Sequence, residues 1–147
     1  MEQTLVIIKP DGVKRKWMGK IIKRFEDRGL IIKKMSLETL SIAIVKEHYA
    51  HLKNEPFFDN LVDYMTTGPV VLMILEQENV IHLIRTMIGK TNALEASPGT
   101  IRGDFAIEST KNIVHASDSK EAAQIEINRF FPVSYTHLRA HETRSNL

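Results

Sequence analysis

The run of residues 70–76, VVLMILE, restricts the fold more than any other segment of the sequence. It is far shorter than the roughly 20 apolar residues needed to cross a bilayer. A short apolar run of this kind is typical of a buried strand, so residues 70–76 are predicted to lie at the centre of a sheet. The β-branched run TLVIIK, residues 4–9, is predicted to be a second buried strand.

The segments around these runs have helical spacing or turn residues. A helix is predicted over residues 19–28, ending at Gly29, and a strand with alternating polar side chains over residues 30–40. Ser41 is predicted to cap the next helix. The remaining predictions are a turn at 10–12, helices over about 58–65 and 79–88, an irregular stretch over 91–112, a strand over 112–115, and a last helix that begins at a capping box of Asp118 and Glu121 and runs to about 131.

This order of elements predicts an α/β (α+β) sandwich with the ferredoxin-like βαββαβ arrangement. A four-stranded antiparallel sheet is expected on one side, with helices covering it on the other. A chain of 147 residues suits one domain, which is predicted to span residues 1–132. Residues 133–147 have no apolar stripe and are interpreted as a disordered, cloning-derived or mistranslated tail. A helical metal site at His137 and His141 is the alternative for that segment.

Composition excludes several classes of protein. The chain has no cysteine, which rules out disulfides and cysteine-ligated zinc and fits a reducing compartment. No secretory signal is recognisable at the N-terminus, so a cytoplasmic location is expected. A net charge of +2 gives no support for a membrane partner or an obligatory nucleic-acid partner.

Glu126 falls inside the apolar stripe of the last predicted helix, which is formed by Ala122, Ala123, Ile127 and Phe130. A buried carboxylate without a partner is costly. Glu126 therefore either extends to solvent along its apolar stem or binds a specific partner.

His115 is the candidate partner, because it ends the strand that leads into this helix. One ring nitrogen could reach Glu126 while the other points outward, and an imidazole oriented in this way has a fixed tautomer and a more nucleophilic free nitrogen. Ser117 and Asp118 place a helix N-terminus beside the ring, which suits an oxyanion. The alternative is a core histidine with satisfied hydrogen bonds.

Cations and aromatic residues elsewhere would complete a phosphate site only if the fold gathers them. Phosphoryl transfer needs cations to stabilise charge on the phosphate oxygens, and Lys9, Arg85 and Arg102 are candidates, although each alone fits a solvated surface charge. Phe57 and Tyr49, with Leu61 one turn further on, could stack on a nucleobase. At helical spacing the same residues also fit a hydrophobic core.

Several separated motifs resemble those of the nucleoside diphosphate kinase family. NIVHASDS, residues 112–119, is similar to the active-site signature of that family. The resemblance continues in the same order through IIKPDGV (7–13), EHYAHL (47–52), PFF (56–58), YMTTGPVV (64–71) and TNALEASPGTIRGDF (91–105). It covers about residues 3–131, and the agreement of several motifs is more specific than any one of them.

The resemblance implies a ping-pong transfer of the γ-phosphate between nucleotides. His115 would attack the phosphate and carry it as phosphohistidine, and Glu126 would orient the ring with support from Ser117. Tyr49 would assist near the phosphate and the histidine. Mg²⁺ would arrive bound to the nucleotide phosphates, so no metal site made only of protein groups is expected.

The resemblance also implies how the nucleotide is held. Phe57 and Leu61 would sandwich the base, with weak base specificity because stacking does not read base edges. The phosphates and ribose hydroxyls would be held by Lys9, Arg85, Thr91, Arg102 and Asn112.

Two features depart from the family pattern. Ala93 stands where many relatives carry proline. The absence of proline is expected to loosen the loop and weaken subunit contacts, and to lower the free energy of unfolding by about 0.4–1 kcal/mol. The tail matches nothing, which leaves the expected homo-oligomer open between a tetramer and a hexamer. The rival functions are a non-catalytic scaffold that binds nucleotide or nucleic acid, and a histidine phosphocarrier or protein kinase.

Overall fold

The computed structural model describes residues 1–132, and the predicted tail lies outside them. Its four strands are β1 (Glu2–Ile8), β2 (Ile31–Glu38), β3 (Val70–Gln77) and β4 (Val114–Ala116). They form one antiparallel sheet in the order β2-β3-β1-β4. This confirms the predicted ferredoxin-like sheet and the internal position of the apolar run, since β3 lies between β2 and β1.

The helices cover both faces of the sheet, so the expectation of helices on one side only was wrong. Leu5 and Ile7 belong to one apolar cluster, whereas Val6 and Ile8 belong to another, as the two-residue period of a strand requires. The helices are α1 (Pro10–Lys14), α2 (Met18–Asp27), α3 (Ile42–His48), α4 (Phe58–Met65), α5 (Val80–Ile88), α6 (Ile101–Phe105) and α7 (Lys120–Phe130), with 3₁₀ turns at Ala50–Leu52 and Ala93–Glu95.

The predicted turn at residues 10–12 is the first turn of α1. Pro10 occupies the first helical position, where its fixed φ suits a helix and its missing N–H loses no bond. Gly12 is required by close packing, because a Cβ there would lie 2.8 Å from Ile8 Cγ2 and 3.0 Å from Ile113 Cγ2. This contact brings the start of α1 against the segment before β4.

Two other predicted boundaries differ from the structure. The stretch 91–112 contains α6, whose cap is Thr100, because its hydroxyl accepts a hydrogen bond from the Gly103 amide at 3.0 Å. Ser119, rather than Asp118, caps α7 by accepting from the Ala122 amide at 3.0 Å. Both helices therefore start at a hydroxyl cap.

β2 is an edge strand that the rest of the described chain leaves open. Its apolar side chains Ile31, Met35 and Leu37 are 42%, 53% and 57% exposed, and its register is irregular between Ile32 and Lys34. An exposed edge with apolar side chains is a surface suited to another chain. Among residues 1–132, no helix has the length and hydropathy to cross a membrane.

Candidate active site

His115 lies on β4, opposite Ile7 of β1, and the chain reaches it through a strained residue. Ile113 has a φ of 76°, in a region that a β-branched side chain rarely adopts. The carbonyl of Ile113 accepts a hydrogen bond from the Lys9 amide at 2.7 Å. Such strain persists where the surroundings hold it and is often found at functional sites.

The structure brings His115 and Glu126 into direct contact. His115 Nε2 lies 2.8 Å from Glu126 Oε1, and the hydroxyl of Ser117 donates to the same oxygen at 2.7 Å. Because a carboxylate accepts, Nε2 carries the hydrogen and Nδ1 keeps its lone pair. The side chains of His115 and Glu126 are 21% and 13% exposed, so the pair lies just below the surface.

Ser117 links this pair to the sheet. It is fully buried, and its Oγ also accepts from the Leu5 amide at 3.3 Å. Burial opposes ionisation of Glu126, but the hydrogen bonds from His115 and Ser117 outweigh it and hold the pKa of Glu126 below its ordinary value. Glu126 is therefore an anion that fixes the tautomer of His115.

A pocket of about 280 Å³ opens in front of the histidine. Burial, and then the nearby Arg102, lower the pKa of Lys9 to about 8. Burial, and then Arg85, lower the pKa of Arg102 to about 10. Lys9 and Arg102 are therefore buried cations that line the same pocket. The pocket is lined by Lys9, His48, Tyr49, His51, Arg85, Thr91, Arg102, Asn112, His115, Ala116, Asp118 and Glu126.

Hydrogen bonds fix the positions of the pocket cations. Lys9 Nζ donates to Asn112 Oδ1 at 2.8 Å, and the Asn112 amide donates to the Thr91 carbonyl at 3.2 Å. Arg102 donates from its two terminal nitrogens to the carbonyls of Gly89 at 3.0 Å and Val114 at 2.7 Å. The Val114 bond ties the guanidinium directly to the strand that bears His115.

Tyr49 lies in this pocket and not beside Phe57, so the structure does not bring together the two aromatics that were predicted to form one platform. Tyr49 is 8% exposed, and its hydroxyl is buried with no hydrogen-bond partner among the described residues. Burial, and then the charge of Glu126, raise the pKa of this hydroxyl. It therefore stays protonated as a potential donor.

Phe57 and Leu61 line a separate groove of about 180 Å³ at the start of α4. Phe57 is 40% exposed, which leaves its ring available to a ligand. Lys111 lines this groove and Asn112 lines the cationic pocket, so the two spaces adjoin along the chain. The other groove residues are Asn60, Tyr64 and Thr110.

His48, for which no role was predicted from the sequence, contacts the histidine of the site. The His48 and His115 rings meet edge to face, with centroids 4.6 Å apart, and His48 is 6% exposed. Arg129 lies behind His48. The signal was the EHYAHL motif itself, where His48 immediately precedes Tyr49 at the end of α3.

The donor set nearest to the histidine does not resemble a magnesium site. Within residues 1–132, His48, His115 and Glu126 bring ligand atoms within 4.8 Å of one another. Mg²⁺ prefers oxygen ligands, whereas two of these groups are imidazoles already joined in hydrogen bonds. Asp118 is the exposed carboxylate on the pocket wall.

Comparisons with known proteins agree on one family. A sequence model described as nucleoside diphosphate kinase matches residues 2–135. The nucleoside diphosphate kinase of Acetivibrio thermocellus is 50% identical over 132 residues, which are 90% of this chain and 97% of that protein. The one from Helianthus annuus is also 50% identical over 132 residues, covering 90% of this chain and 89% of that protein.

Solved structures share both the fold and much of the sequence. The apo nucleoside diphosphate kinase of Encephalitozoon cuniculi has a TM-score of 0.87 and 39% identity, covering 90% of each chain. The enzyme of Halobacterium salinarum, in complex with CDP, has a TM-score of 0.86 and 39% identity, covering 88% of this chain and 87% of that one. With the family match extending over nearly the whole described chain, the protein belongs to the nucleoside diphosphate kinase family.

Proposed function

We infer that this chain transfers the γ-phosphoryl group of a nucleoside triphosphate to a nucleoside diphosphate through a phosphohistidine on His115. The observation that carries this inference is the pairing of His115 Nε2 with Glu126 at 2.8 Å. It leaves the Nδ1 lone pair as the nucleophile, on a wall of the pocket that also holds Lys9 and Arg102.

The transfer takes two displacements at phosphorus. In the first, Nδ1 forms a bond to the γ-phosphorus while the bond to the bridging oxygen breaks, and the diphosphate leaves with that electron pair. In the second, a terminal oxygen of another diphosphate attacks phosphorus and the N–P bond breaks. Glu126 stabilises the positive charge that develops on the imidazole when Nδ1 attacks.

The pocket cations supply charge where the phosphate oxygens gain it. Lys9, Arg85 and Arg102 would hold the phosphates, while Tyr49 would donate near the phosphorus. Thr91 and Asn112 would hold phosphate and ribose hydroxyls, since Asn112 is oriented by Lys9 and by the Thr91 carbonyl. Pre-positioned donors of this kind need no rearrangement during the reaction.

The base would lie in the groove beside α4, stacked on Phe57 and Leu61. An exposed ring accepts any base, because every base has a π face. Weak base specificity is therefore expected.

Mg²⁺ would enter with the nucleotide, neutralising charge on the phosphate oxygens. Asp118 is the carboxylate of the pocket wall that can approach such an ion, directly or through water. The imidazoles near Glu126 remain available for their hydrogen bonds.

A homo-oligomer, tetramer or hexamer, is part of the proposal. The exposed apolar side chains of β2 support it, since they form an uncovered sheet edge in the isolated chain. Light scattering of the wild type and of Leu37→Glu tests this, with a smaller assembly expected for the variant. A single mass near 16.8 kDa for the wild type would contradict it.

The absence of cysteine supports a cytoplasmic location.

Labelling with γ-³²P-ATP tests the central inference. The wild type should acquire a phosphate that is acid-labile and base-stable, and ADP or GDP should remove it. His115→Ala should lose both labelling and exchange among nucleotides. His82→Ala, at an exposed histidine of α5, is the matched control and should keep both. Near-normal turnover in His115→Ala would refute the assignment.

The non-catalytic scaffold is not favoured. Relatives at about half identity are named as kinases, and a binding module has no need of a histidine whose tautomer is set by an anion. A histidine phosphocarrier would label with ATP but would not pass phosphate to free diphosphates, so the exchange assay separates these rivals.

A further inference from the structure

Arg129 of α7 contacts the site from behind, through His48. Its Nη1 donates to His48 Nδ1 at 2.8 Å, and its Nε lies 3.7 Å from Glu47 Oε1. The Arg129 side chain is 14% exposed, so its charge is held close to the imidazole with little screening. An arginine can only donate, which means that Nδ1 of His48 is unprotonated and the ring hydrogen is on Nε2.

His48 is enclosed on several sides by groups that bear on its charge. Its ring packs edge to face on Tyr49 with centroids 4.6 Å apart, on His115 at 4.6 Å and on Phe130 at 5.2 Å. A ring nitrogen of His48 lies within 4.8 Å of a ring nitrogen of His115 and of a carboxylate oxygen of Glu126. The charged or titratable groups that face it are His115 from β4, Glu126 and Arg129 from α7, Lys9 from the loop after β1, and Tyr49 after the end of α3.

We propose that Arg129 is a positioning residue for phosphoryl transfer, which holds His48 in its Nε2–H tautomer and, together with burial, keeps it neutral so that His115 is the only imidazolium partner of Glu126. The proposal rests on the role inferred above for His115. It concerns a residue outside the reacting groups, since Arg129 contacts His48 and not the phosphate pocket.

The physical reason is competition for one carboxylate. A protonated His48 would place a second cation near Glu126 and beside His115, and both effects would disfavour the charge that His115 must bear after attack. Burial, and then His115, lower the pKa of His48 to about 3, with Arg129 and Lys9 adding to the effect and Glu126 opposing it. Without Arg129, His48 Nδ1 loses its hydrogen-bond donor, and His48 loses a nearby positive charge. His48 is then protonated more easily.

Nuclear magnetic resonance of protein labelled with ¹⁵N-histidine tests the tautomer directly, on the full chain and without turnover. In the wild type His48 should show the Nε2–H form and no titration above about pH 4. In Arg129→Met the midpoint should rise by about one pH unit or more. Arg129→Lys should show a smaller rise, because lysine keeps the charge but lacks the planar donor geometry.

The pH profile of nucleotide exchange gives the functional readout. For Arg129→Met, kcat/KM below about pH 5 should fall further than in the wild type, because His48 begins to be protonated there, while the rate near pH 8 changes little. Adding His48→Gln, whose amide does not titrate, should return the acid side to the position seen in His48→Gln alone. This second step separates an effect through His48 from a general loss of stability.

The outcomes are distinct from those of the phosphohistidine test. If Arg129→Met only lowers the melting temperature and leaves the His48 tautomer and the pH profile unchanged, the proposal is overturned. If His48 behaves as expected but His115→Ala remains active, the inferred role of His115 fails and the proposal falls with it, although the Arg129–His48 contact stands.

Discussion

Replacing Lys9 by methionine tests whether the cations of the pocket destabilise the protein when no nucleotide is bound. Lys9 is 7% exposed and its ammonium lies among positive charges. Its pKa falls from an ordinary 10.5 to about 8 in the folded chain. At about 1.4 kcal/mol for each pH unit, the ionised form loses about 3 kcal/mol of stability on folding.

The sign of the pH dependence follows from proton counts. Between about pH 8 and pH 10.5 the unfolded chain keeps the Lys9 proton and the folded chain has lost it. Stability therefore rises with pH in this window, because the unfolded state binds more protons. Below about pH 8 both states are protonated and the full destabilisation is present. From about pH 7 to about pH 9.5 the expected gain is about 2 kcal/mol.

Urea unfolding at several pH values and fixed protein concentration measures this gain. The wild type should show the rise, and Lys9→Met should lack most of it. The absolute stability at pH 7 is less informative, since Asn112 Oδ1 loses the donor that lies at 2.8 Å, which costs about 1–3 kcal/mol. The slope with pH is independent of that loss.

An exposed lysine provides the control. Lys20→Met on α2 should keep the rise of the wild type. ADP should stabilise the wild type and the control more than Lys9→Met, because only they retain the buried ammonium for the phosphates. Equal slopes in the wild type and Lys9→Met would refute the idea that Lys9 is destabilised in the folded state.

Four further substitutions test other parts of the structure. Ala93→Pro, at the first position of a 3₁₀ turn after an extended Asn92, should stabilise by about 0.4–1 kcal/mol in thermal unfolding; a loss would show that the backbone does not suit proline. Gly103→Ala would place a Cβ in steric overlap with the Ser97 carbonyl and should destabilise by about 1–3 kcal/mol, whereas Gly19→Ala, with no atom within 4 Å, should not. Phe57→Ala should raise KM for diphosphates by roughly 5–100-fold through lost stacking, with kcat largely retained in steady-state assays. Glu126→Gln should lower kcat by about 10–100-fold, the loss of one charge-assisted hydrogen bond; an unchanged kcat would contradict its orienting role.

The sheet was predictable from the sequence because its strands carry strong local signals. The apolar run of β3 and the β-branched run of β1 are too hydrophobic to lie elsewhere than in a core. The edge position of β2 was not predictable. Alternation of apolar and polar residues is expected both for a strand half-buried within one chain and for an edge strand whose apolar side chains are exposed. Its exposed Met35 and Leu37 became visible only when the strand order was known.

Several local features could not be predicted from the sequence, because tertiary contacts override the usual preferences of the residues involved. Pro10 and Gly12 are ordinary turn residues, yet here Pro10 starts α1 and Gly12 allows it to pack on Ile113. The positive φ of Ile113 contradicts its local preference, so no propensity argument could place it. His48 was missed because the resemblance of the EHYAHL motif implied a role for Tyr49 only, and a histidine at the end of a short helix does not by itself indicate which ring it will contact.

The short strand β4 also determines when the proposed site can form during folding. It has three residues and pairs with β1, so the last part of the domain must return to the first. Contacts between segments so distant in the chain form slowly. The proposed site is therefore complete only after residues 6–8 have paired with residues 114–116, and a chain that ends before residue 114 would lack both His115 and Glu126.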